Sequence, residues 1–425
     1  MLSRLAIRNY KSLHEVSIDV PSFCALVGAN AAGKSNFADA VDFLSSVARN
    51  GLPAAVTEKG GYENICFRRV RRARAPIEFS LVADGIRFST DRGQQELRFT
   101  YTFAFRAAKQ AISSEFSVCR EELRVEGRGL PPVKPWQEAL WYRYPRPSKQ
   151  PALRIIGEIG LPFFPEELLR SMLNEWSEKA PRDDLFLTSR LRGLPPFAFF
   201  CQHVSSYRVF QVMPPHTRRP ASASGSSEMG RNGENLPAAL AWLRRERPEA
   251  MTRLVDHLRV AVPTVERLET DYVETRELGL FIKEEGTARR EYASELSDGT
   301  LRTIGIFVPI VDPRYPLVVM EEPENCIHPW VTRQFVNAAR ELSERKQVIL
   351  TTHSPVLVSK LRPEELLVVE RERGETRICP VTDVDGQVGN IIRKGIMDLG
   401  AYWDSGAMRA VPTEQLPLPF EEPDE

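Results

Sequence analysis

The stretch "FCALVGANAAGKSNF", residues 23–37, decides how this chain is read. Phe23 to Val27 form a short continuous apolar run, which suits a strand buried on both faces. Gly28 to Ser35 then fit G-x-x-x-x-G-K-[ST] at every fixed position. Beyond Ser35, the residues Phe37, Val41, Leu44 and Val47 recur at helical spacing. Strand, glycine loop and amphipathic helix in that order are the context this motif requires. The physics points to a phosphate. The loop's backbone N–H groups and the first helical turn present positive potential to phosphate oxygens. Gly28 and Gly33 let the backbone approach closely. Lys34 would reach the β- and γ-phosphates, and the Ser35 hydroxyl would bind Mg²⁺. Asn30 inside the loop and Asn36 just after it are the remaining candidate nucleotide contacts.

A phosphate loop that brings Mg²⁺ needs a carboxylate at the end of a neighbouring strand. Residues 317–329, "LVVMEEPENCIHP", offer one. Adjacent carboxylates closing an apolar run repel each other and lose solvation, and a cation relieves both problems. Glu321 is expected to hold the metal, directly or through water. Glu322 is expected to polarise the attacking water on the γ-phosphate side. Glu324 is expected to cap the next helix or to form a local salt bridge.

The first 125 or so residues look strand-rich with one clear helix. "RLAIRNY", "HEVSIDV", "IEFSLVAD", "LRFTYTFAF" and "SEFSVCREELRVEG" alternate as antiparallel strands do. Residues 131–200 are rich in Pro, Trp and Arg, with helical patches such as "PEELLRSMLNEW", and read as an insertion. Residues 217–235 are small and polar and predict a mobile loop. Residues 236–263 read as two helices broken near Pro248, and strands alternate with helices again from about 265 to 410. The tail "PTEQLPLPFEEPDE" carries five acids, no base and four prolines, a composition of disorder. The expected division is 1–125, 126–264, 265–410 and 411–425.

Composition narrows the class. Hydrophobic residues at 42% and charged residues at 27% are ordinary for a soluble globular protein of 425 residues. Lys+Arg and Asp+Glu are both 57, which argues against coating nucleic acid by charge alone. No run approaches the roughly 18 apolar residues of a membrane span, and the start lacks the apolar core of a signal peptide. A cytoplasmic protein with no membrane partner is expected. The six cysteines are scattered without a CxxC pair and read as buried free thiols.

"IRNYKSL", "GANAAGKSN", "ELSDGTLR", "VVMEEPENCIHP" and "ILTTHSPVLV" stand in an order that resembles ABC-type ATPase heads. The resemblance is to the branch that includes SMC, RecF and OLD proteins. It is closest to prokaryotic OLD-like, AAA-family ATPases of phage-defence systems, and it covers about 1–125 and 265–375. It implies an α/β P-loop NTPase fold, with a mixed sheet, central helices, an antiparallel β subdomain and a largely helical insertion. It also implies that Ser297 and Gly299 of "LSDGT" contact the γ-phosphate bound to another subunit. A serine and backbone N–H groups at a helix start form an anion site in any case. His353 resembles the switch histidine, whose neutral imidazole would bond the γ-phosphate or orient Glu322. "NCIHP" sits in the place of the segment that meets the partner subunit, making His328 an interface candidate. Most such proteins place Asp where Glu321 stands, and the extra methylene would push the metal contact outward, through water. The glutamine-loop and adenine-stacking residues have no assignment by motif.

The resemblance therefore implies a Mg²⁺-dependent ATPase that forms a homodimer, or a higher homo-oligomer, with ATP between its heads. It would be the sensor subunit of an antiviral system, working with a separate effector. OLD proteins carry a TOPRIM nuclease, but "TDVDG" with Asp383 and Asp385 is followed by only about 40 residues and reads as a solvated turn. A TOPRIM-like nuclease would then be a separate protein. The alternatives are a RecF-like recombination or repair ATPase, and a low-turnover scaffold that restrains a toxic partner. A solute-transport ATPase is disfavoured by the "IRNYKSL" start and the EEPE…HP form. "FRRVRRAR", with five arginines in 68–74, suits DNA phosphates or a solvated face. "RRER" at 244–247 reads as a solvated helix face. Gln415, Leu416, Leu418 and Phe420 of "QLPLPF" resemble the peptide that docks the replication sliding clamp.

Overall fold

Alternating apolar positions build the first sheet. In the computed structural model, "RLAIRNY" and "HEVSIDV" become the antiparallel pair β1 (Leu2–Tyr10) and β2 (Leu13–Asp19). The structure describes residues 1–67, 75–90, 93–107, 115–130, 135–145, 152–155, 171, 175, 181–194, 197–274, 276–384 and 388–406. β3 (Phe23–Val27) leaves for a second sheet. The first sheet continues through β4 (Ile77–Thr90), β5 (Gly93–Ala107), β6 (Phe116–Leu130), β7 (Gln137–Pro145) and β8 (Ala152–Ile155). Its order is β2-β1-β4-β5-β6-β7-β8 and every neighbouring pair is antiparallel. Its inner face is aromatic. Phe79 stacks on Phe43 and on Phe103, each at a ring separation of 5.4 Å, and Tyr10 meets Phe79 edge-on.

The boundary expected at 125 falls inside β6, and β7 and β8 carry the same sheet into the stretch read as an insertion. A 15-residue strand such as β6 leaves a long unpaired edge unless further strands follow it.

The second sheet runs β16-β15-β3-β14-β13-β9. It joins β9 (Arg208–Phe210), β13 (Leu317–Glu321), β14 (Gln347–Thr352), β15 (Leu366–Glu372) and β16 (Glu375–Pro380) to β3. All pairs are parallel except β15–β16 at the edge. β3, β13 and β14 are buried along their whole length, as parallel strands covered on both faces must be. Successive residues point into two cores. Cys24, Leu26, Leu317, Val319 and Ile349 face the helix Lys34–Asn50 and the antiparallel sheet. Ala25, Val27, Val318, Met320, Val348 and Leu350 face the helices Leu236–Glu246, Pro248–Ala261, Asp298–Val311 and Pro329–Leu342. In a small antiparallel sheet β11 (Leu278–Glu284) lies between β10 (Val265–Tyr272) and β12 (Arg290–Tyr292) and pairs with both.

Much of 126–264 therefore belongs to the main layers. β9 is an edge strand of the parallel sheet, and the two helices that break at Pro248 lie in its second core. The stretch 217–235 also differs from the mobile loop expected. Gln211 N–H donates to Arg231 O at 2.8 Å, Met213 N–H to Asn232 O at 2.9 Å, and Ala221 pairs with Leu278. Arg314 donates to Ser227 Oγ and Ser227 O. Small polar residues here are tied by backbone and arginine hydrogen bonds instead of apolar packing.

Cys24 and Cys201 are buried, Cys66, Cys119 and Cys379 are partly buried, and Cys326 is exposed, unlike the buried thiol expected. Arg244, Arg245 and Arg247 are exposed, as is Asp383. The arginine run 68–74, the helical patch at 165–176, Asp385 and the tail with Gln415 to Phe420 lie mainly or wholly outside the described residues. Among the described residues no helix is long and apolar enough to cross a membrane.

Candidate functional site

Strand register sets the site. Leu26 of β3, Thr351 of β14 and Glu321 of β13 are cross-strand neighbours in turn. The carboxyl ends of these strands thus lie side by side, and two inter-strand spacings span about 10 Å. The glycine loop, the acid corner and the segment carrying His353 leave the sheet at this one edge.

The loop's glycines are dictated by crowding and by handedness. A Cβ on Gly28 would lie 2.3 Å from Val369 O. Gly33 has φ +115°, and a Cβ there would lie 2.1 Å from Thr376 Oγ1. The helix Lys34–Asn50 starts with no side-chain cap on its first N–H groups, which leaves them to an anion. Behind the loop runs a brace. Asn36 Nδ2 donates to Ser12 Oγ at 2.6 Å, Ser12 and Thr376 hydroxyls bond at 2.7 Å, and Thr376 Oγ1 donates to Ala32 O at 2.9 Å. The Ser12 of "IRNYKSL" and the start of β16 thereby fix the loop's path.

Lys34 is buried and donates to Gly28 O at 2.7 Å and Ala29 O at 2.9 Å. Burial lowers its pKa, while the negative charges of Glu322 and Glu324 act the other way. The loop lysine and the acids thus share one electrostatic environment.

Glu321 ends β13 at 3% exposure, and its Oε1 lies 2.6 Å from Arg231 Nη2. Glu322 is held from every side. Its backbone is left-handed, with φ +45°, a strain that non-glycine residues carry chiefly at functional sites. Its N–H donates to Thr351 O at 2.9 Å, and its carbonyl accepts from Arg302 Nη2 at 2.9 Å. Its Oε1 lies 3.1 Å from His353 Nδ1, and its Oε2 accepts from Asn325 Nδ2 at 2.7 Å.

Among the described residues Glu324 caps no helix and pairs with no base. Its carboxylate accepts from the Thr352 hydroxyl, and burial raises its pKa. The next helix is capped by His328 instead, whose Nδ1 accepts from Trp330 N–H at 3.1 Å. β14 runs beside β13, so Thr352 is simply nearer to Glu324 than the helix start is.

Ser297 and Gly299 stand apart from the loop residues in every contact described for them. Ser297 is exposed and N-caps its own helix, accepting from Thr300 N–H at 3.1 Å. Gly299 lies against the "NCIHP" segment, where a Cβ would be 3.4 Å from Cys326 O. Asp298 is held by Arg218 Nη2 at 2.7 Å.

The structure thus brings together Lys34, Glu321, Glu322 and His353, with Ser35 and Asn30 exposed on the loop side. Asn36 turns toward Ser12 and lines a cleft of about 500 Å³ with Lys11, Phe67, Arg371 and Arg373. Arg231, Arg302, Asn325 and Thr352 escaped the sequence reading. Asn325, Arg302 and Thr352 stand within the motifs "VVMEEPENCIHP", "ELSDGTLR" and "ILTTHSPVLV" and were within reach of them; Arg231 comes from a segment outside every motif.

Among the described residues no cluster of three or more His, Cys, Asp or Glu side chains could hold a metal by itself. A hydroxyl, Ser35, and a buried carboxylate, Glu321, are hard oxygen donors of the kind Mg²⁺ takes together with substrate phosphates. The residues present fit that ion.

Known proteins extend this picture. No curated protein matches the chain. Among solved structures it is similar to an SMC head bound to the C-terminal winged-helix domain of ScpA, with 13% identity, 89% of this chain and 96% of that chain covered, and a TM-score of 0.46. The SMC head domain from Thermotoga maritima gives 13% identity, 89% and 98% coverage, and a TM-score of 0.38. An SMC head with an extended coiled coil, bound to the C-terminal domain of ScpA and derived from Pyrococcus furiosus, gives 11% identity, 93% and 99% coverage, and a TM-score of 0.44. The family described as "AAA domain, putative AbiEii toxin, Type IV TA system" matches residues 23–130 and 161–359. That match takes in the glycine loop, the serine turn, the acid corner and His353, so the chain belongs to this AAA-domain family and is an ATPase.

Proposed function

We propose that the chain is a Mg²⁺-dependent ATP hydrolase of the ABC type, in the SMC, RecF and OLD branch, which dimerises around ATP. One observation carries the reading: Glu322, on a strained backbone, has both carboxylate oxygens engaged and His353 at 3.1 Å, beside a loop lysine that feels its charge. In this reading Lys34 exchanges the carbonyls of Gly28 and Ala29 for β- and γ-phosphate oxygens. The N–H groups from Gly28 to Ser35 cradle the phosphates. Bound Mg²⁺, held by Ser35, Glu321 and phosphate oxygens, would neutralise the charge that develops on the transferred group. Glu322 orients the attacking water, and His353 fixes Glu322 and meets the γ-phosphate. Asn30 contacts the phosphates from the loop's exposed side, and Asn36 borders the cleft that takes the ribose and base. Ser297 and Gly299 close over the γ-phosphate held by a second copy, a role suited to an exposed hydroxyl at a helix start.

Closing and opening of the dimer would pass a signal to a separate effector, such as a nuclease, in defence against phage, with DNA as a further partner. A second reading is a low-turnover scaffold that restrains a toxic partner; the family description speaks of a toxin–antitoxin system, although it names the matching domain a putative toxin. Steady-state hydrolysis and ATP-dependent dimerisation of wild type and Glu322→Gln separate the two. The hydrolase reading expects turnover to fall by about 10²-fold or more, with the ATP-bound dimer retained. Equal near-zero rates in both proteins would leave the scaffold.

A further inference from the structure

Arg231 reaches the acid corner from 90 residues upstream, on the segment between β9 and the helix Leu236–Glu246. Its Nη2 lies 2.6 Å from Glu321 Oε1, and its Nη1 lies 3.7 Å from Asp42 Oδ2. Glu321 is almost fully buried, and a buried carboxylate needs a counter-charge. The arginine is not a stray surface contact. Its own carbonyl accepts from Gln211 N–H, and the next residue's carbonyl accepts from Met213 N–H, so its backbone is stitched to the chain leaving β9. Asp42 stands on the helix that opens at Lys34, and it also binds Lys59 Nζ at 2.6 Å.

We infer that Arg231 is a built-in counter-cation that competes with Mg²⁺ for Glu321, with Asp42 as the carboxylate that receives it on release. The inference rests on the reading of Glu321 as the metal carboxylate. A guanidinium and a divalent ion on the same buried carboxylate repel each other, so metal-nucleotide loading draws Arg231 from Glu321 toward Asp42. The pair therefore sets the Mg²⁺ concentration at which nucleotide binds tightly. It leaves the Mg²⁺-independent part of binding, carried by the glycine loop and Lys34, unchanged. Arg231 is thus a regulatory residue of the site and not a catalytic one.

The test is a Mg²⁺ titration of binding of a fluorescent, non-hydrolysable ATP analogue to the full chain. Arg231→Gln lowers the half-saturating Mg²⁺ by about tenfold, the lower end of what outer-shell changes do to metal affinity, while binding in EDTA stays as in wild type. Asp42→Asn removes the receiving carboxylate and shifts half-saturation the opposite way. Thermal melts in EDTA give an independent readout. Arg231→Gln leaves Glu321 buried without its counter-charge, so the melt falls and Mg²⁺ with the analogue restores it. An unchanged or raised Mg²⁺ requirement in Arg231→Gln overturns the inference, as does a shift of both variants in one direction. If wild type and Lys34→Ala bind the analogue equally well, the nucleotide reading itself fails and this inference falls with it.

Discussion

The acid corner and the serine turn are both expected at ATP, yet they are built in opposite ways. At the sheet edge, Lys34, Glu321, Glu322 and Glu324 are all engaged by their own chain, through Gly28 O, Arg231, Asn325, His353 and Thr352. Ser297 is exposed, and among the described residues its hydroxyl bonds only to Thr300, three residues on in its own first turn. In the first region most polar side chains have partners within the chain, as burial demands, with Glu324 Oε2 left without one. The second spends its hydroxyl on a cap and keeps it in solvent. The difference teaches that, under the proposed function, one chain would supply a near-complete phosphate and metal half-site, whereas the serine turn would acquire a task beyond capping only from outside its own fold.

Substitutions at three positions break or sharpen this contrast. The largest effect is expected at the sheet edge. Gly33→Ala places a methyl against Thr376 at a left-handed φ, and such a backbone costs about 1–3 kcal/mol before the clash is counted. The expected outcome is loss of nucleotide binding by isothermal titration together with a lowered melting temperature. Retained binding would mean that the loop is softer than its brace of Ser12, Asn36 and Thr376 suggests.

The serine turn gives an intermediate effect. Ser297→Ala removes an N-cap and costs about 1 kcal/mol of stability, whereas Ser297→Asn keeps a capping group. If the turn only caps, Asn restores both the melt and ATP turnover. If the turn also meets a second copy's nucleotide, Asn restores the melt alone and turnover stays reduced, because its side chain no longer matches that nucleotide.

The smallest effect joins the two regions. Lys346 Nζ donates to Pro309 O and Asp312 O at the far end of the helix that Ser297 opens, and it leads into β14, which delivers His353. Burial pulls its ammonium down to about 7 from 10.5. Between those values the folded chain binds fewer protons than the unfolded chain, so stability rises with pH across that window. Urea midpoints of wild type should climb from pH 7 to pH 10 relative to Lys346→Met, which lacks the titrating group. Parallel pH profiles would remove Lys346 as a strained link between the two regions.

Much of the fold was legible where the signal is local. The apolar run 23–27, the loop to Ser35 and the helix after it are contiguous, so short-range sterics and helical period suffice to place them. The break at Pro248 was legible for the same reason, since proline cannot continue a helix it would interrupt. The extent of the antiparallel sheet was not. The alternation in β6 does not say where its partners stop, and β7 and β8 lie beyond the boundary expected at 125.

The sequence by itself determined the phosphate loop, the paired acids at a strand end and the order of the motifs, because each is written within a few consecutive residues. Only the tertiary structure decided which side chains surround them. Arg231 comes to Glu321 across 90 residues and Arg302 to Glu322 across 20, with no period or spacing to announce either. The neighbour of Glu324 is Thr352 because β13 and β14 run parallel and in register. A buried carboxylate requires a partner, but which segment supplies it is settled by strand order and packing, and those are properties of the whole fold.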